Sequence, residues 1–501
     1  VPYFSFYKNA ITNGDSILWN PYNAGGFPVF ADLAGFFFPL HYIFLLFFSA
    51  VQAFNWLLFL ASVSALFFMI RFLRGLNVGV AGSLLGGLSL IISEIVSLIN
   101  VTSTAYSVAL LPLLFLIVLR LSQQSRTWLY VLLGGLSIGL AWLSALPHYV
   151  LWILLSGFAF TLYLAFKESN KKLILWFVLM NLIGLVVGLV QLGPIFSVAQ
   201  SSSRGIPLPY SQLAEDPVRL LDLARFFFAD VYSYLPVYRS IDGIIQGSES
   251  FLYMGIIPFL FFAASFFIKV PLVKFFRWLF LVPLLIAIQS SPLFYLITKI
   301  PILNAFREPS RYMLIGSFAA AVLTGLAVQF FLVDWQNKKQ LFHSKIFTVS
   351  QLFGITVLAA VFFISVFTVY FTFRFIDVGE NISLLEFIRY IVWVVMAKPL
   401  IIITFLVLAW LAISLFLKQK FGSLPAVCLV LITILDFILV FNFSVAAWPS
   451  AIPPTPPSLI TFLKKNPGRI VTLFPNDFRD QLLGDGKFGI TESGEMLLAN
   501  V

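Results

Sequence analysis

Charge is what this chain has least of. Asp, Glu, Lys and Arg make up 10% of its 501 residues, where a soluble domain of that size carries roughly 25%. Water solvates a folded domain through such groups, so a chain with so few cannot keep its apolar surface dissolved. Lipid removes the difficulty, because Phe, Leu and Ile face hydrocarbon without cost. With 60% hydrophobic residues and a mean hydropathy of +0.99, the chain reads as a membrane protein. Cysteine is nearly absent as well. Cys428 stands alone inside an apolar run, which excludes an intrachain disulfide and a thiolate metal site. There is no Walker loop, no dinucleotide fingerprint after a strand and no His/Cys metal cluster, so ATP-driven transport has no support in the sequence.

What is present is a series of apolar runs. A helix needs about 20 apolar residues to cross the roughly 30 Å hydrocarbon layer, and it satisfies its own backbone hydrogen bonds there. Runs at 52–70, 78–98, 105–120, 128–144, 149–166, 173–194, 251–268, 278–290, 312–332, 346–373, 391–416 and 424–444 fit that requirement. The fold class expected is therefore an all-α polytopic membrane protein with about 12 transmembrane helices. Residues 36–48 are apolar but short, and read as an interfacial or re-entrant helix, with a full span as the competing reading.

The net charge of +10 does not point to nucleic acid, because the basic residues are scattered in small groups between the runs. Every second connector is basic: Arg71 and Arg74; Arg120 and Arg126; Lys167, Lys171 and Lys172; Lys269, Lys274 and Arg277; Lys338, Lys339 and Lys345; Lys418 and Lys420. Positive connectors stay on the cytoplasmic side. The segments 1–50, 195–250, 291–311, 374–390 and the tail after 445 are then expected outside, in a cell membrane. This gives a first outer loop with an interfacial helix (1–50), a first helix group (51–194), a long outer loop (195–250), a second helix group (251–444) and an extracytoplasmic linker with a further module (445–501). In that tail Pro453, Pro454, Pro456 and Pro457 act as a stiff linker. A short amphipathic helix at 458–465 and a strand-like "RIVTLF" follow, as at the start of a small α/β module. Residues 1–20 read as the exit from an apolar segment, and "EMLLANV" stops without a closing element, so the chain is expected to be a fragment lacking at least one N-terminal helix.

Five outer stretches carry a resemblance. They are "NGDSILWNPYNAGGFPVFADLAGFFFPLHYI" at 13–43, "GPIFSVAQSSSRGIPLPY" at 193–210, "ESFLYMGIIPF" at 249–259, "SSPLFYLITKIPILNAFREPSRYMLIGSFAAAVLTGLA" at 290–327 and "LDFILVFNFSVAAWPSAIPPTPPSLITFLKKNPGRI" at 435–470. In this order they resemble the YfhO-type bacterial membrane proteins of the broad GT-C class of polyprenyl-phosphate-sugar-dependent glycosyltransferases. The resemblance implies a GT-C-like fold and inverting transfer of a hexosyl group from an undecaprenyl-phosphate carrier to a cell-envelope glycopolymer, such as a teichoic-acid-type acceptor. The partners implied are that lipid-linked donor, the polymer acceptor and membrane lipids. No residue indicates a cofactor, and a divalent cation stays open. In this class a carboxylate in the first outer loop usually serves as general base, and the family's early acidic position is expected upstream of Val1.

Two groups of residues could carry such chemistry. The first outer loop holds Asp15, Asp32 and His41 with Trp19, Asn20 and Tyr22 between them. One carboxylate must reach within about 3 Å of the acceptor hydroxyl proton, and a flat aromatic such as Trp19 or Tyr22 can hold a sugar face. The plainer readings are a turn at "NGD" with Asp15 capping, a turn at "NPY", and interfacial aromatic anchors. The second group is "NAFREPSRYML". Pro309 suits the first helical position, Glu308 the N-cap, and Arg307 and Arg311 flank them at the start of a helix entering the membrane from outside. Two guanidinium groups beside a helix N-terminus suit a departing phosphate, while pairing with lipid phosphates or with Glu308 is the plainer reading. Arg204 on a polar loop is a further candidate, against a simply solvated charge. Glu249 reads as a first-turn carboxylate, His148 as a buried polar group, and Glu94 as an intramembrane acid near the outer end of its span. A non-enzymatic lipid or glycopolymer transporter is the alternative, and a structural assembly partner a third reading. A transporter should show internal repeats and discontinuous helices at mid-membrane, which inspection of the sequence does not find.

Overall fold

The computed structural model describes residues 2–21, 26–31, 39–94, 102–123, 126–200, 209–215, 217–219, 222–223, 226, 252–300, 303–334 and 424–445. Among these the chain is almost entirely helical. Helix α1 (Pro2–Asn13) leads into a hairpin in which β1 (Trp19–Asn20) pairs antiparallel with β2 (Phe27–Pro28). Then come α2 (Pro39–Phe47), α3 (Ala50–Gly75), α4 (Val80–Ser93), α5 (Thr102–Gln123), α6 (Thr127–Ser144), α7 (Pro147–Lys167) and α8 (Lys172–Gln200). After the short α9 (Tyr210–Leu213) follow α10 (Ile256–Ser265), α11 (Pro271–Ala287), α12 (Pro292–Ile297), α13 (Met313–Val328) and α14 (Leu424–Val445).

Six helical stretches are long and apolar enough to cross a membrane: Ala50–Gly75, Ser103–Gln123, Thr127–Ser144, Pro147–Lys167, Lys172–Val198 and Pro309–Phe331. Each coincides with an expected span. The shorter apolar stretches Val80–Ser93, Ile256–Ser265 and Ala426–Ile438 fall inside three more, while the expected spans 346–373 and 391–416 lie outside the described residues. The protein is thus an all-α membrane protein with six candidate crossings among its described residues.

The boundaries differ from expectation in four places. Helix α4 ends at Ser93, with Glu94 as its C-cap, instead of running on to residue 98. Helix α10 begins only at Ile256, after non-helical Leu252–Gly255. Helix α11 starts at Pro271, so Lys274 and Arg277 are helical, and the Arg277 guanidinium donates back to the carbonyls of Ser265 and Ile268. Residues 2–13 form a helix that the mixed "PYFSFYKNAITN" did not announce. It buries Phe4, Tyr7 and Ala10 against α2 and α3, and Lys8 Nζ donates to the Leu45 carbonyl at 2.7 Å. Helix α2 is nine residues long, too short to cross.

Lipid supplies no hydrophobic drive between helices, so close packing has to hold them together. Small residues provide it. A Cβ on Gly82 would stand 2.7 Å from the Gly325 carbonyl oxygen, and one on Gly325 would stand 3.0 Å from that of Gly82, so α4 and α13 touch backbone to backbone. On α6 and α8 the knobs are larger: Ile183 and Val187 fill the places vacated by Gly135 and Gly139, and Ile138 and Trp142 those at Gly184 and Gly188. Phe72, Phe115, Phe160, Phe276 and Phe318 interlock at the junction of α3, α5, α7, α11 and α13. Helix α13 lies at the centre, with 78% of its apolar window buried, while α8 lies at the periphery with 28%. Leu182, Leu185, Val186 and Leu189 on α8 face outward, as lipid-exposed positions do.

Contacts also sort the helix ends. Gly79 N–H donates to Gln329 Oε1 at 2.7 Å, Trp128 meets Trp176 edge-on and Tyr163 stacks on Phe275. These tie together the ends that carry the basic connectors. The opposite end carries α9, α12 and the turn Pro309–Tyr312, joined through Phe294.

Candidate functional site

At that end the chain approaches α13 through Leu303–Ala305 and the 3-10 turn Pro309–Tyr312. Pro309 occupies the first helical position, as its fixed φ and missing N–H favour. Glu308 stands at the N-cap position, but its side chain makes no capping hydrogen bond to a backbone N–H, and its carboxylate pairs with the Arg311 guanidinium. Its backbone is left-handed, at φ 66°. For a residue with a Cβ that conformation costs of order 1 kcal/mol or more, and it persists only where the surroundings impose it. Here the Glu308 N–H donates to the Leu213 carbonyl at 3.1 Å, and its own carbonyl accepts from Arg311 N–H at 3.1 Å.

Arg307 points to another partner. Its Nη1 lies 3.6 Å from Glu215 Oε2, with the two side chains 36% and 52% exposed, whereas Arg311 and Glu308 are 19% and 18% exposed. Glu215 belongs to a strap laid across this end of the bundle. Helix α9 begins it, with the Tyr210 ring against Phe294 and Tyr295, and Val218 ends it in a parallel bridge to Ile288. That bridge is made by Val218 N–H to the Ala287 carbonyl and Gln289 N–H to the Val218 carbonyl, both 2.8 Å. Aromatic rings wall the site. Trp152 on α7 lies 4.1 Å from the Tyr312 ring and 6.4 Å from Phe306, and His148, one residue inside α7, lies 5.9 Å from Phe306. Two donors in this region lack acceptors: Arg307 Nε and the hydroxyl of Ser310, whose residue is 1% exposed.

The first-loop candidates make other contacts. His41 is fully buried in α2, its Nε2 3.0 Å from Tyr106 Oη on α5 and its ring against Phe4. Burial pushes the nearby Tyr42 phenol up, against a smaller lowering by its hydrogen bond with Tyr7. Trp19 is 53% exposed on β1, with its indole lying over Gly26, where a Cβ would come within 2.5 Å of the ring. Gly26 has φ 118°, so both its backbone and its missing side chain suit that approach. Asp15 is exposed just after α1, and its N–H closes that helix on the Ala10 carbonyl at 2.8 Å. Asp32, Tyr22, Arg204 and Glu249 lie outside the described residues, as does the tail module after 445. The structure therefore brings Arg307, Glu308 and Arg311 into one site, sets His41 of α2 against Phe4 of α1 and Tyr106 of α5, and leaves Trp19 exposed on β1.

Sequence reading missed another carboxylate. Asp436 on α14 is 3% exposed, accepts from Tyr253 Oη at 2.5 Å and accepts from the Ile256 N–H at 2.8 Å. It thus caps α10 from a neighbouring helix, satisfying a first-turn donor that α10 cannot satisfy itself. A lone acid in an apolar run was the available signal. Glu94, at the end of α4, is also buried. No group of acidic, His or Cys residues that could hold a metal ion is found among the described residues. Comparison of the chain with protein-family models, characterised proteins and solved structures finds no match.

Proposed function

We propose that the protein is an inverting GT-C-type membrane glycosyltransferase that moves a hexosyl group from an undecaprenyl-phosphate carrier to a cell-envelope glycopolymer of the teichoic-acid type. The proposal includes about 12 membrane crossings, with the end that carries the turn Pro309–Tyr312 facing out of the cell, as the positive connectors at the other end favour. In the reaction the acceptor hydroxyl oxygen forms a bond to the sugar's anomeric carbon. The bond from that carbon to the carrier phosphate breaks, a carboxylate such as Asp32 or Asp15 takes the hydroxyl proton, and undecaprenyl phosphate leaves.

The observation that carries this reading is the Arg307–Arg311 pair. Both guanidiniums stand at the start of the central helix, partly open to solvent, and their carboxylate partners can be exchanged for a phosphate. Charge grows on the phosphate oxygens as the sugar leaves, so preplaced cations stabilise the transition state more than the ground state. Trp152 and Tyr312, both buried, back the turn with aromatic rings, and the half-buried Phe306 beside them suits contact with a prenyl chain. Trp19 offers a second exposed aromatic face.

The test is sugar transfer from a labelled undecaprenyl-phosphate hexose by the purified full chain in nanodiscs. Arg311→Ala should lower turnover about 100-fold, as loss of one preorganised transition-state donor does, with the melting temperature within a few degrees of the parent. Unchanged turnover in that variant overturns the assignment.

A further inference from the structure

We propose that the turn Arg307–Arg311 is an oxyanion site whose ligands include Arg307 Nε and Ser310 Oγ, and that Glu308 is a built-in competitor which the incoming anion displaces. The inference rests on the phosphate-end reading of the same site and goes further, to its ligand set and its regulation.

Three observations meet here. The first is a surplus of donors. Two guanidiniums are met by two carboxylates, yet Arg307 Nε and Ser310 Oγ, both buried, have no acceptor. Buried donors without acceptors are costly, and they recur where a ligand is missing. An acceptor-only group with several oxygens, such as a phosphate ester, meets that surplus. A further carboxylate of the protein could supply only two oxygens, and the nearest ones are already engaged. The second is the strained backbone of Glu308, which holds a carboxylate beside Arg311 without using it as a cap. The turn and the Leu213 carbonyl hold the backbone in that conformation, and the result is a carboxylate set against a guanidinium at a helix start. The third is the coupling to the strap. Glu308 N–H holds the Leu213 carbonyl and Arg307 holds Glu215, so the same short turn grips the α9 strap by backbone and by side chain. An anion that takes Arg307 loosens the Glu215 contact as it binds.

Dodecyl phosphate, inorganic phosphate and phosphatidylglycerol vesicles are the probes, titrated against the full chain in detergent or nanodiscs. Glu308→Asn is the informative variant, because Asn tolerates the left-handed conformation and carries no charge. Dodecyl phosphate should bind it about fivefold more tightly than the parent, the scale of one partly exposed ion pair removed as a competitor. Ser310→Ala should bind about fivefold more weakly, with an unchanged melting temperature. Should inorganic phosphate compete with dodecyl phosphate, a free anion suffices; should it fail to, the ligand is lipid-borne; either supports the site. Equal binding of dodecyl phosphate by the parent, Glu308→Asn and Ser310→Ala overturns the inference. So does tight binding of phosphatidylglycerol vesicles that is indifferent to all three. The two readings fail separately. Loss of transfer in Arg311→Ala with no change of binding in Glu308→Asn removes only the competitor, whereas the expected binding changes with no sugar transferred from any polyprenyl carrier remove only the glycosyltransferase.

Discussion

Asp436 and Glu308 each set a carboxylate beside the start of a helix, Asp436 from the middle of α14, and they have opposite circumstances. Asp436 is buried, its partners are neutral, and both are donors aimed at the carboxylate: a phenol and the first N–H of α10. Glu308 is partly open, its partner is a cation, and its own backbone is strained. The first arrangement leaves nothing for a ligand to do. The second is held by a charge pair that an anion can replace in kind. A carboxylate's setting, more than its position at a helix start, decides whether it fastens the fold or waits on a substrate.

The strongest test of this contrast is Asp436→Ala. It leaves the Ile256 N–H and the Tyr253 hydroxyl without an acceptor in an apolar interior, a loss of about 3 kcal/mol. Thermal unfolding in detergent should show it as a clear drop, with Asp436→Asn intermediate, while the surviving folded protein keeps its affinity for dodecyl phosphate. Full stability together with lost binding would break the comparison, by making Asp436 part of the ligand site. A smaller effect is expected from Gly82→Ala, whose methyl must enter the contact with the Gly325 carbonyl oxygen. Overpacking of that kind costs about 1–3 kcal/mol, read as a lower melting temperature. Smallest is Tyr106→Phe, which removes the hydroxyl beside His41 and should cost about 1 kcal/mol with sugar transfer unchanged. A large loss of transfer there would return His41 to the list of substrate-binding groups.

The six candidate crossings among the described residues were legible in the sequence because a helix satisfies its own backbone in hydrocarbon, and a long apolar run reveals it. Helix α5 and the Pro309–Phe331 stretch were found on that ground. Helix α1 was not, since its buried Phe4 and Tyr7 are interleaved with Lys8 and Asn9, and what stabilises it is packing against α2 and α3. In the candidate site Arg307, Glu308 and Arg311 were visible as a local cluster, and the Arg311–Glu308 pairing was foreseen as the plainer reading. Glu215 was not visible, because its meeting with Arg307 depends on how a distant loop is laid down. Ser310 carried no signal at all. An unmet hydroxyl becomes noticeable only once its surroundings are closed. Asp436 could have been found by asking why an acid interrupts "LITILDFILVF", but its role as a cap for another helix is a fact of tertiary contact.

The crossing of Gly82 and Gly325 has a mechanical consequence. Two backbones in direct contact leave no cushion of side chains to deform, so α4 braces α13 closely. The contacts of the arginine turn with the strap that carries Glu215 are by comparison few and partly open to solvent.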